Sequence, residues 1–563
     1  MTANKLSNFI GYFLIGSIAF VLFFSFQGAS QTLLCPDSFY HAKMASFLAE
    51  GNLIKDFPWL PYTTLSHSYA NHHFLYHWLL VPFFLIFPPL IGIKVATLFF
   101  TTLTIIIFYW FLKKFEIKLP FFWTFLLLTS SVFLTRLNLA KAPAAIIPIL
   151  LFGLYALFKR KYILLIIVSF AYVWFYGTWP IIIVMTIIYC FANAIKKTIN
   201  RWEDIKNKLG VRNQESRIQK IRYSLSVVCC SFKSLFAKEN IELISACLLG
   251  TACGLIINPY FPENIYFYWM QIVKIGLQNY QNILPVGAEW LPYNPINLVF
   301  DNFLIFFSWI IGSAWFFFSA KKTKNLSFSG QPVKTFALFL ISVLFFFYTV
   351  KSRRNIDYFI PLAVLSGAFS LNNLIVGLPW KLYFNRFKKN RENLRFNLMV
   401  GLTSLAILTL IIFSIFSVYK NIWIMKKNAF TEGANFNQLE GVANSLKETA
   451  SPGEIIFHSS WGEFPSLFYH NHQNAYISGL DPTFAYIENK PLYWLWFNIT
   501  TGKQKNNLAE TIGNNFKSRF VFIGSDYKKI KPNFEENEKF EKTYEDKSGT
   551  IYKIIDKIYF ENY

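Results

Sequence analysis

Asn8-Phe-Ile-Gly-Tyr-Phe-Leu-Ile-Gly-Ser-Ile-Ala-Phe-Val-Leu-Phe-Phe-Ser-Phe-Gln-Gly28 carries no charged side chain. A helix of about 20 apolar residues is what it takes to cross a bilayer, and this run has that length. Gly28-Ala29-Ser30 offers the small residues of a cleavage site, but the apolar core exceeds the roughly 7–15 residues of a secretory signal. Only Lys5 stands in the flanking n-region. The run reads as an uncleaved first span with the N-terminus on the cytoplasmic side.

Similar runs begin near Val95, Phe121, Pro143, Tyr162, Ile181, Ile241, Val299, Phe336, Ile356 and Phe396, for about eleven spans in all. Hydrophobic residues make up 54% of the chain and charged residues 15%, where an ordinary soluble domain has about 25% charged. The 64 phenylalanines are more than one soluble core could bury. The sequence thus predicts a polytopic α-helical membrane protein. The net charge of +23 is not a nucleic-acid signature, because no zinc-finger spacing or arginine-rich arm accompanies it. Nor are the cysteines a disulfide framework: Cys190, Cys247 and Cys253 lie in apolar runs, Cys229 and Cys230 border a basic loop, and Cys35 stands alone outside.

Orientation follows from where lysine and arginine gather. With the N-terminus inside, the cytoplasmic connections are Lys113 to Lys118, Lys159 to Lys161, Lys196 to Asn240, Lys321 to Lys334 and Lys381 to Arg395. They hold most of the basic residues before position 420. Phe74 to Leu90 is apolar enough to cross, but a crossing there would turn every later basic loop outward. It is therefore expected to be a broken, membrane-dipping segment, consistent with Pro82, Pro88 and Pro89. The expected plan is a membrane domain over 1–419, with external loops at 29–91 and 259–297, and an extracytoplasmic α/β domain over 420–563. In that tail a helical pattern over Phe436 to Thr449 precedes strand-like Gly453 to Phe457, Arg519 to Ile523 and Ile551 to Ile555.

Polar chemistry gathers on the outer side. All eight histidines fall there: His41, His67, His72, His73, His77, His458, His470 and His472. Cys35-Pro-Asp-Ser-Phe-Tyr-His-Ala-Lys-Met44 opens the first external loop, and a helix here puts Asp37 and His41 on one face. A carboxylate at the membrane surface is a functional candidate; the plainer role is a helix cap. Asn71-His-His-Phe-Leu-Tyr-His-Trp78 closes the loop, with His73 and His77 again four apart. That spacing suits a metal, but no glutamate stands between them as in a zinc protease. A hydrogen-bonding pocket wall is the better reading.

Cations on the outer side run against the positive-inside bias and need a reason. Arg136-Leu-Asn-Leu-Ala-Lys141 and Lys351-Ser-Arg-Arg-Asn-Ile-Asp-Tyr358 both sit at outer helix ends. Guanidinium groups match phosphate oxygens, so a lipid phosphate supplies a reason; snorkelling toward headgroups is the alternative. Glu289, in Gly287-Ala-Glu-Trp-Leu-Pro-Tyr293, is a second acid for the same pocket. In the tail, Trp461 and Glu463 follow a strand and could touch a sugar, or simply pack a corner.

Asp37-Ser-Phe-Tyr-His41, Arg353-Arg-Asn-Ile-Asp-Tyr-Phe-Ile-Pro361 and the fainter Ser460-Trp-Gly-Glu-Phe464 together resemble the polytopic C-type (GT-C) glycosyltransferases. That superfamily includes oligosaccharyltransferase catalytic subunits, protein O-mannosyltransferases and the lipid A aminoarabinose transferase. The likeness spans nearly the whole chain in plan. It implies sugar transfer from a polyprenyl phosphate or diphosphate carrier to an extracytoplasmic acceptor (glycan, lipid or protein) at a plasma membrane. By the resemblance Asp37 activates or positions the acceptor, and Glu289 is a second acid. A divalent cation, Mg or Mn, held by these two is the metal it would imply. Arg353 or Arg354 holds the carrier phosphate, with Asp357 and Tyr358 beside them. His41, His73, His77, Arg136, Lys141, Trp461 and Glu463 complete the expected substrate contacts. One departure stands out. Arg136 to Lys141 presents cations where oligosaccharyltransferases carry acids, which favours a charge-neutralising site without metal. A polysaccharide ligase and a flippase of lipid-linked glycans are the alternative functions. The flippase predicts charges at mid-bilayer depth, and the spans hold few.

Overall fold

The computed structural model describes residues 3–208, 234–322, 331–377, 394–431 and 433–555. Cys229 and Cys230, and the middles of the expected cytoplasmic connections at 209–233, 323–330 and 378–393, lie outside the described residues.

Each expected span is helical, with shifted ends. The first covers Ala3–Gln27 and the second Pro89–Lys114. Among the described residues, six helices have the length and apolar character to cross a membrane, or eight if two bent pairs each count as one span. The bent pairs are Pro120–Leu127 with Ser131–Asn138, at 75°, and Pro295–Asp301 with Phe303–Ser319, at 96°. Pro143–Lys159 and Tyr162–Phe175 are apolar but shorter. Proline opens many of these helices, among them Pro89, Pro120, Pro143 and Pro332. Its fixed φ suits a first turn, where its missing N–H costs nothing.

Large apolar side chains cover the outside of the bundle. Phe13 is 65% exposed, Ile163 75% and Phe318 72%. In water such a surface would be untenable; against lipid tails it is the favourable state. Between helices, small residues set the spacing. At Gly250 an added Cβ would stand 2.3 Å from the Ile166 carbonyl oxygen. Gly250 and Gly254, one helical turn apart, therefore let Lys238–Ile256 lie directly on Tyr162–Phe175. Trp174 then donates its indole N–H to the Gly254 carbonyl at 2.9 Å. This pins the end of the shorter helix just before Tyr176.

Phe74–Phe84 is an eleven-residue helix, about 16 Å long at 1.5 Å per residue. It is too short to span, as the charge pattern required, and the chain restarts at Pro89. The basic connections meet at the end of the bundle away from the tail. Lys159 and Lys334 both lie over the Phe115 ring, and Arg160 and Lys197 both pair with Glu239.

The last long helix runs unbroken from Leu394 to Thr431, so position 420 falls inside it. Strand β1 (Thr32–Leu33) pairs antiparallel with β2 (Ala434–Asn435) and ties the start of the first loop to the start of the tail. The tail sheet holds β3 (Ile455–His458), β4 (Ala475–Tyr476), β5 (Ser518–Gly524), β6 (Phe540–Asp546) and β7 (Gly549–Ile554). Their order is β4-β3-β5-β7-β6, parallel over the first three and antiparallel over the rest. The expected strands at 453–457, 519–523 and 551–555 are β3, β5 and β7; β4 and β6 were not foreseen. The tail's face toward the bundle is aromatic: Phe464 and Phe468 pack on Phe57, with Phe468 also on Trp59. Loop one and the tail thus share one core over the end of the bundle.

Candidate active site

Helix Asp37–Ala49 starts two residues after Cys35. Asp37 lies in its first turn and makes no side-chain cap. Instead it accepts from Lys141 Nζ at 2.6 Å. Lys141 sits in the connection between Ser131–Asn138 and Pro143–Lys159, so a bent helix pair delivers a cation to the first loop's acid.

Arg136, earlier on the same bent pair, is held by two carboxylates through three nitrogens. Its Nε and Nη2 grip Asp357 at 3.0 and 2.8 Å, and its Nη1 donates to Glu289 at 2.5 Å. Glu289 also faces Arg354 Nη1 at 3.5 Å. Arg354 in turn donates to the Tyr176 hydroxyl at 2.5 Å and lies 4.0 Å over the Trp290 ring. The centre therefore matches three cations, Arg136, Lys141 and Arg354, with three carboxylates, Asp37, Glu289 and Asp357. Burial opposes ionisation of Glu289, but Lys141, Arg136 and Arg354 outweigh it and hold the carboxyl well below the usual range. Burial likewise works against the Lys141 ammonium, and Asp37, Cys35 and Glu289 hold it well above.

All of these charged groups but Asp357 line one cavity of about 110 Å³, together with His41, His72, His73, Tyr176 and, from the tail, Asp481. A second, apolar cavity of about 360 Å³ adjoins it, walled by Ile181, Val184, Ile272, Leu277, Leu344 and Phe345. The two share His72, Tyr176, Gln271, Trp290 and Arg354. Gln271 comes from a wide π-helical stretch, Met270–Gln278, in the second large loop. Arg354 stands at the boundary, with ion pairs on one side and aliphatic walls on the other.

The histidines form a neutral wall. Burial, then His77, Lys141 and His72, push the His41 imidazole well below its ordinary range. His73 is driven down in the same way, by burial and then the neighbouring imidazoles. His72 and His77 are pushed to about 3, chiefly by burial. His41 Nδ1 and His77 Nε2 are 2.8 Å apart. Of the other four histidines, three lie between loop one and the tail, and His458 is buried within the tail. His67 meets Glu488, His470 packs on Phe39 and His472 on Phe47, and His458 stands beside Glu463.

Of the residues singled out from sequence, Asp37, Glu289, His41, His73, Arg136, Lys141 and Arg354 meet around one cavity. His77 and Asp357 stand behind it, on His41 and Arg136. Arg353 turns away to the Pro292 carbonyl at 3.1 Å and lies over Tyr293. Tyr358 bonds Thr178 at 2.6 Å, outside the cavity. Trp461 and Glu463 belong to a tail corner: Trp461 donates to the Pro285 carbonyl, and Glu463 closes a capping box with Ser460. His72, Tyr176, Gln271, Trp290 and Asp481 went unassigned in the sequence. Two had a signal: Asp481 follows strand β4, and Tyr176 breaks an apolar run in Tyr176-Gly-Thr-Trp-Pro180.

A divalent cation does not fit this donor set. Among the described residues no three His, Cys, Asp or Glu side chains gather as metal ligands. Asp37 and Glu289 already accept from ammonium and guanidinium groups, with Lys141 between them.

No protein-family model and no curated protein matches the sequence. Solved structures do. The apo oligosaccharyltransferase of Archaeoglobus fulgidus superposes with a TM-score of 0.58 at 14% identity, over 91% of this chain and 69% of that one. The same organism's AglB, solved with an inhibitory peptide and a dolichol-phosphate, gives 0.56 at 14% identity, over the same 91% and 69%. ArnT from Cupriavidus metallidurans, bound to undecaprenyl phosphate, gives 0.51 at 12% identity, over 96% of this chain and 97% of that one. The chain has the C-type glycosyltransferase fold.

Proposed function

We propose that the protein transfers a sugar from a polyprenyl phosphate or diphosphate carrier to an extracytoplasmic acceptor, at the tail-bearing end of the bundle. The observation that carries this reading is Arg354, which lines both an apolar cavity and an adjoining polar one walled by carboxylates. An amphiphile with a phosphate between its chain and its sugar fits that sequence of environments. The prenyl chain would lie along Ile181, Val184 and Leu344, the phosphate against Arg354, and the sugar beside Asp37 and the histidines.

The chemistry then needs two charges handled. The acceptor oxygen or nitrogen forms a bond to the sugar's anomeric carbon while the carbon–oxygen bond to phosphate breaks. Asp37 takes the acceptor's proton, and its contact with Lys141 aims the carboxylate beforehand. Arg354 meets the negative charge that grows on the departing phosphate, in a site where preorganised charge is effective. Arg136 holds Glu289 and Asp357 so that the wall does not repel that phosphate. The positive-inside pattern supports a cytoplasmic N-terminus with the tail outside. The lipid-bound structures of AglB and ArnT support a lipid phosphate as the donor's handle.

The test is transfer in nanodiscs, from a panel of undecaprenyl-phosphate- and undecaprenyl-diphosphate-linked hexoses and pentoses to membrane acceptors. Asp37→Asn is expected to lower transfer by at least about a hundredfold, within the range for a general base. Arg354→Ala should weaken binding of undecaprenyl phosphate itself. Full activity in D37N, with binding unchanged in R354A, refutes the assignment.

A further inference from the structure

The Asn71 to His77 stretch, whose spacing resembles metal ligation, carries a directional hydrogen-bond chain. Its polarity can be read from one fixed end. The His73 backbone N–H donates to Asn71 Oδ1 at 3.1 Å. A backbone amide can only donate, so this contact identifies the amide oxygen and leaves the NH2 as the other arm. That arm lies 2.9 Å from His77 Nδ1, which must therefore accept. A neutral imidazole has a single N–H, so His77 carries it on Nε2, 2.8 Å from His41 Nδ1. This nitrogen accepts in turn, and the one proton of His41 is left on Nε2.

Charge keeps the chain in this state. His77 is fully buried and His41 is 3% exposed. A second proton on either ring would place a cation in a desolvated wall among other imidazoles, and for His41 beside Lys141 as well. His41 lines the polar cavity. With Nδ1 committed to His77, Nε2 is the ring nitrogen that remains for a ligand.

We propose that Asn71 and His77 are positioning residues that lock His41 as a neutral Nε2–H donor to an oxygen of the sugar held in the cavity. The ligand in this statement rests on the transferase reading; the proton's position does not. An imidazole with its outward nitrogen protonated offers no lone pair there, so His41 is not the general base. Asp37 is one turn earlier in Asp37–Ala49. The helix thus presents an acceptor and a fixed donor one above the other. Sequence spacing alone could not assign these roles, because each histidine has two tautomers.

Ring-15N histidine spectra of the full-length protein in nanodiscs give the proton positions directly, with the His41 signals assigned by their loss in His41→Gln. The expected result is Nε2–H on both His41 and His77, with nitrogen–nitrogen coupling across the bond between them. An Nδ1–H tautomer or an imidazolium at His41 near neutral pH overturns the proposal. His77→Gln keeps the polarity, since Asn71 can donate to its carbonyl and its NH2 can donate to His41. It should retain the His41 tautomer and transfer within about threefold. His77→Leu removes the donor and should mix the His41 tautomers and lower transfer on the order of tenfold. An unchanged spectrum and unchanged transfer in H77L also overturn it. Undecaprenyl phosphate is the probe that separates the two readings. Binding to wild type and H77L alike supports a phosphate subsite independent of the relay. If it binds neither, the transferase reading and the sugar as ligand fall, whatever tautomer the spectra give.

Discussion

Removing the Arg136 side chain should do more harm than removing it together with its main partner. Arg136 and Asp357 side chains are 10% and 5% exposed and meet through two guanidinium nitrogens, with Glu289 on the third. At about 3–4 Å and an effective dielectric near 20, one such pair attracts by roughly 4–5 kcal/mol. Bringing both charges out of water cancels much of that, so the pair adds little net stability. Breaking it from one side is different: Arg136→Met leaves a carboxylate buried without its cation, at a cost of about 3–5 kcal/mol. Arg136→Met with Asp357→Leu removes both charges and should recover most of that loss. The assay is thermal unfolding of the purified protein in one detergent, followed by tryptophan fluorescence, for wild type, both singles and the double. At roughly 2 °C or less per kcal/mol for a chain this long, R136M should unfold several degrees below wild type and the double well above R136M. A double variant as unstable as R136M, or an R136M that melts with wild type, refutes the view of Arg136 as the neutralising hub.

Asp481 gives a pH signature. Burial pushes its carboxyl up to about 6 from an ordinary 3.8, and Thr483 and Arg354 only partly offset that. The unfolded chain ionises first, so stability should fall as pH rises from about 4 to about 6, by roughly 3 kcal/mol in all, and stay level above. Asp481→Asn keeps the cap on Thr483 and should flatten that slope in melts recorded between pH 4 and 7. Gly250→Leu should abolish the close approach to the Ile166 carbonyl, seen as aggregation or a loss of several degrees in melting temperature. Trp461→Phe loses a bond to Pro285 outside the cavity, so transfer should stay within about twofold; a loss as large as that of D37N would put Trp461 in the site.

The apolar runs and the loops between them made the helices legible. Lipid removes the choice that a soluble chain has, because backbone groups in hydrocarbon must bond within the helix. Length and hydropathy therefore locate a span without knowledge of its neighbours. The basic loops also decided that Phe74 to Leu90 does not cross, and the structure gives it an eleven-residue helix. Helix ends were less legible: the second span starts at Pro89 rather than Val95, and Leu394–Thr431 continues past position 420. A helix can project beyond the bilayer wherever its polar end finds water or protein, and hydropathy carries no mark of that.

The site divides along the same line. Asp37, Glu289 and the two cationic clusters at helix ends were visible because charge at a membrane boundary is costly and so conspicuous. Which member of each cluster reaches the cavity was not visible. Arg353 and Arg354 are adjacent in sequence, yet one turns to Pro292 and the other to Glu289 and Trp290. The choice comes from the backbone turn at Ser352–Asn355 and from a loop more than sixty residues upstream. Trp461 and Glu463 read equally as sugar contacts or as a packed corner, and the structure bonds them to Pro285 and Ser460, while Asp481 lines the cavity from a later turn. Sequence alone determined what crosses the membrane and which charges are out of place, since those are properties of each segment against its solvent. Only the tertiary structure decided which charges face one another and where each proton sits, because pairing depends on distances that no local pattern encodes.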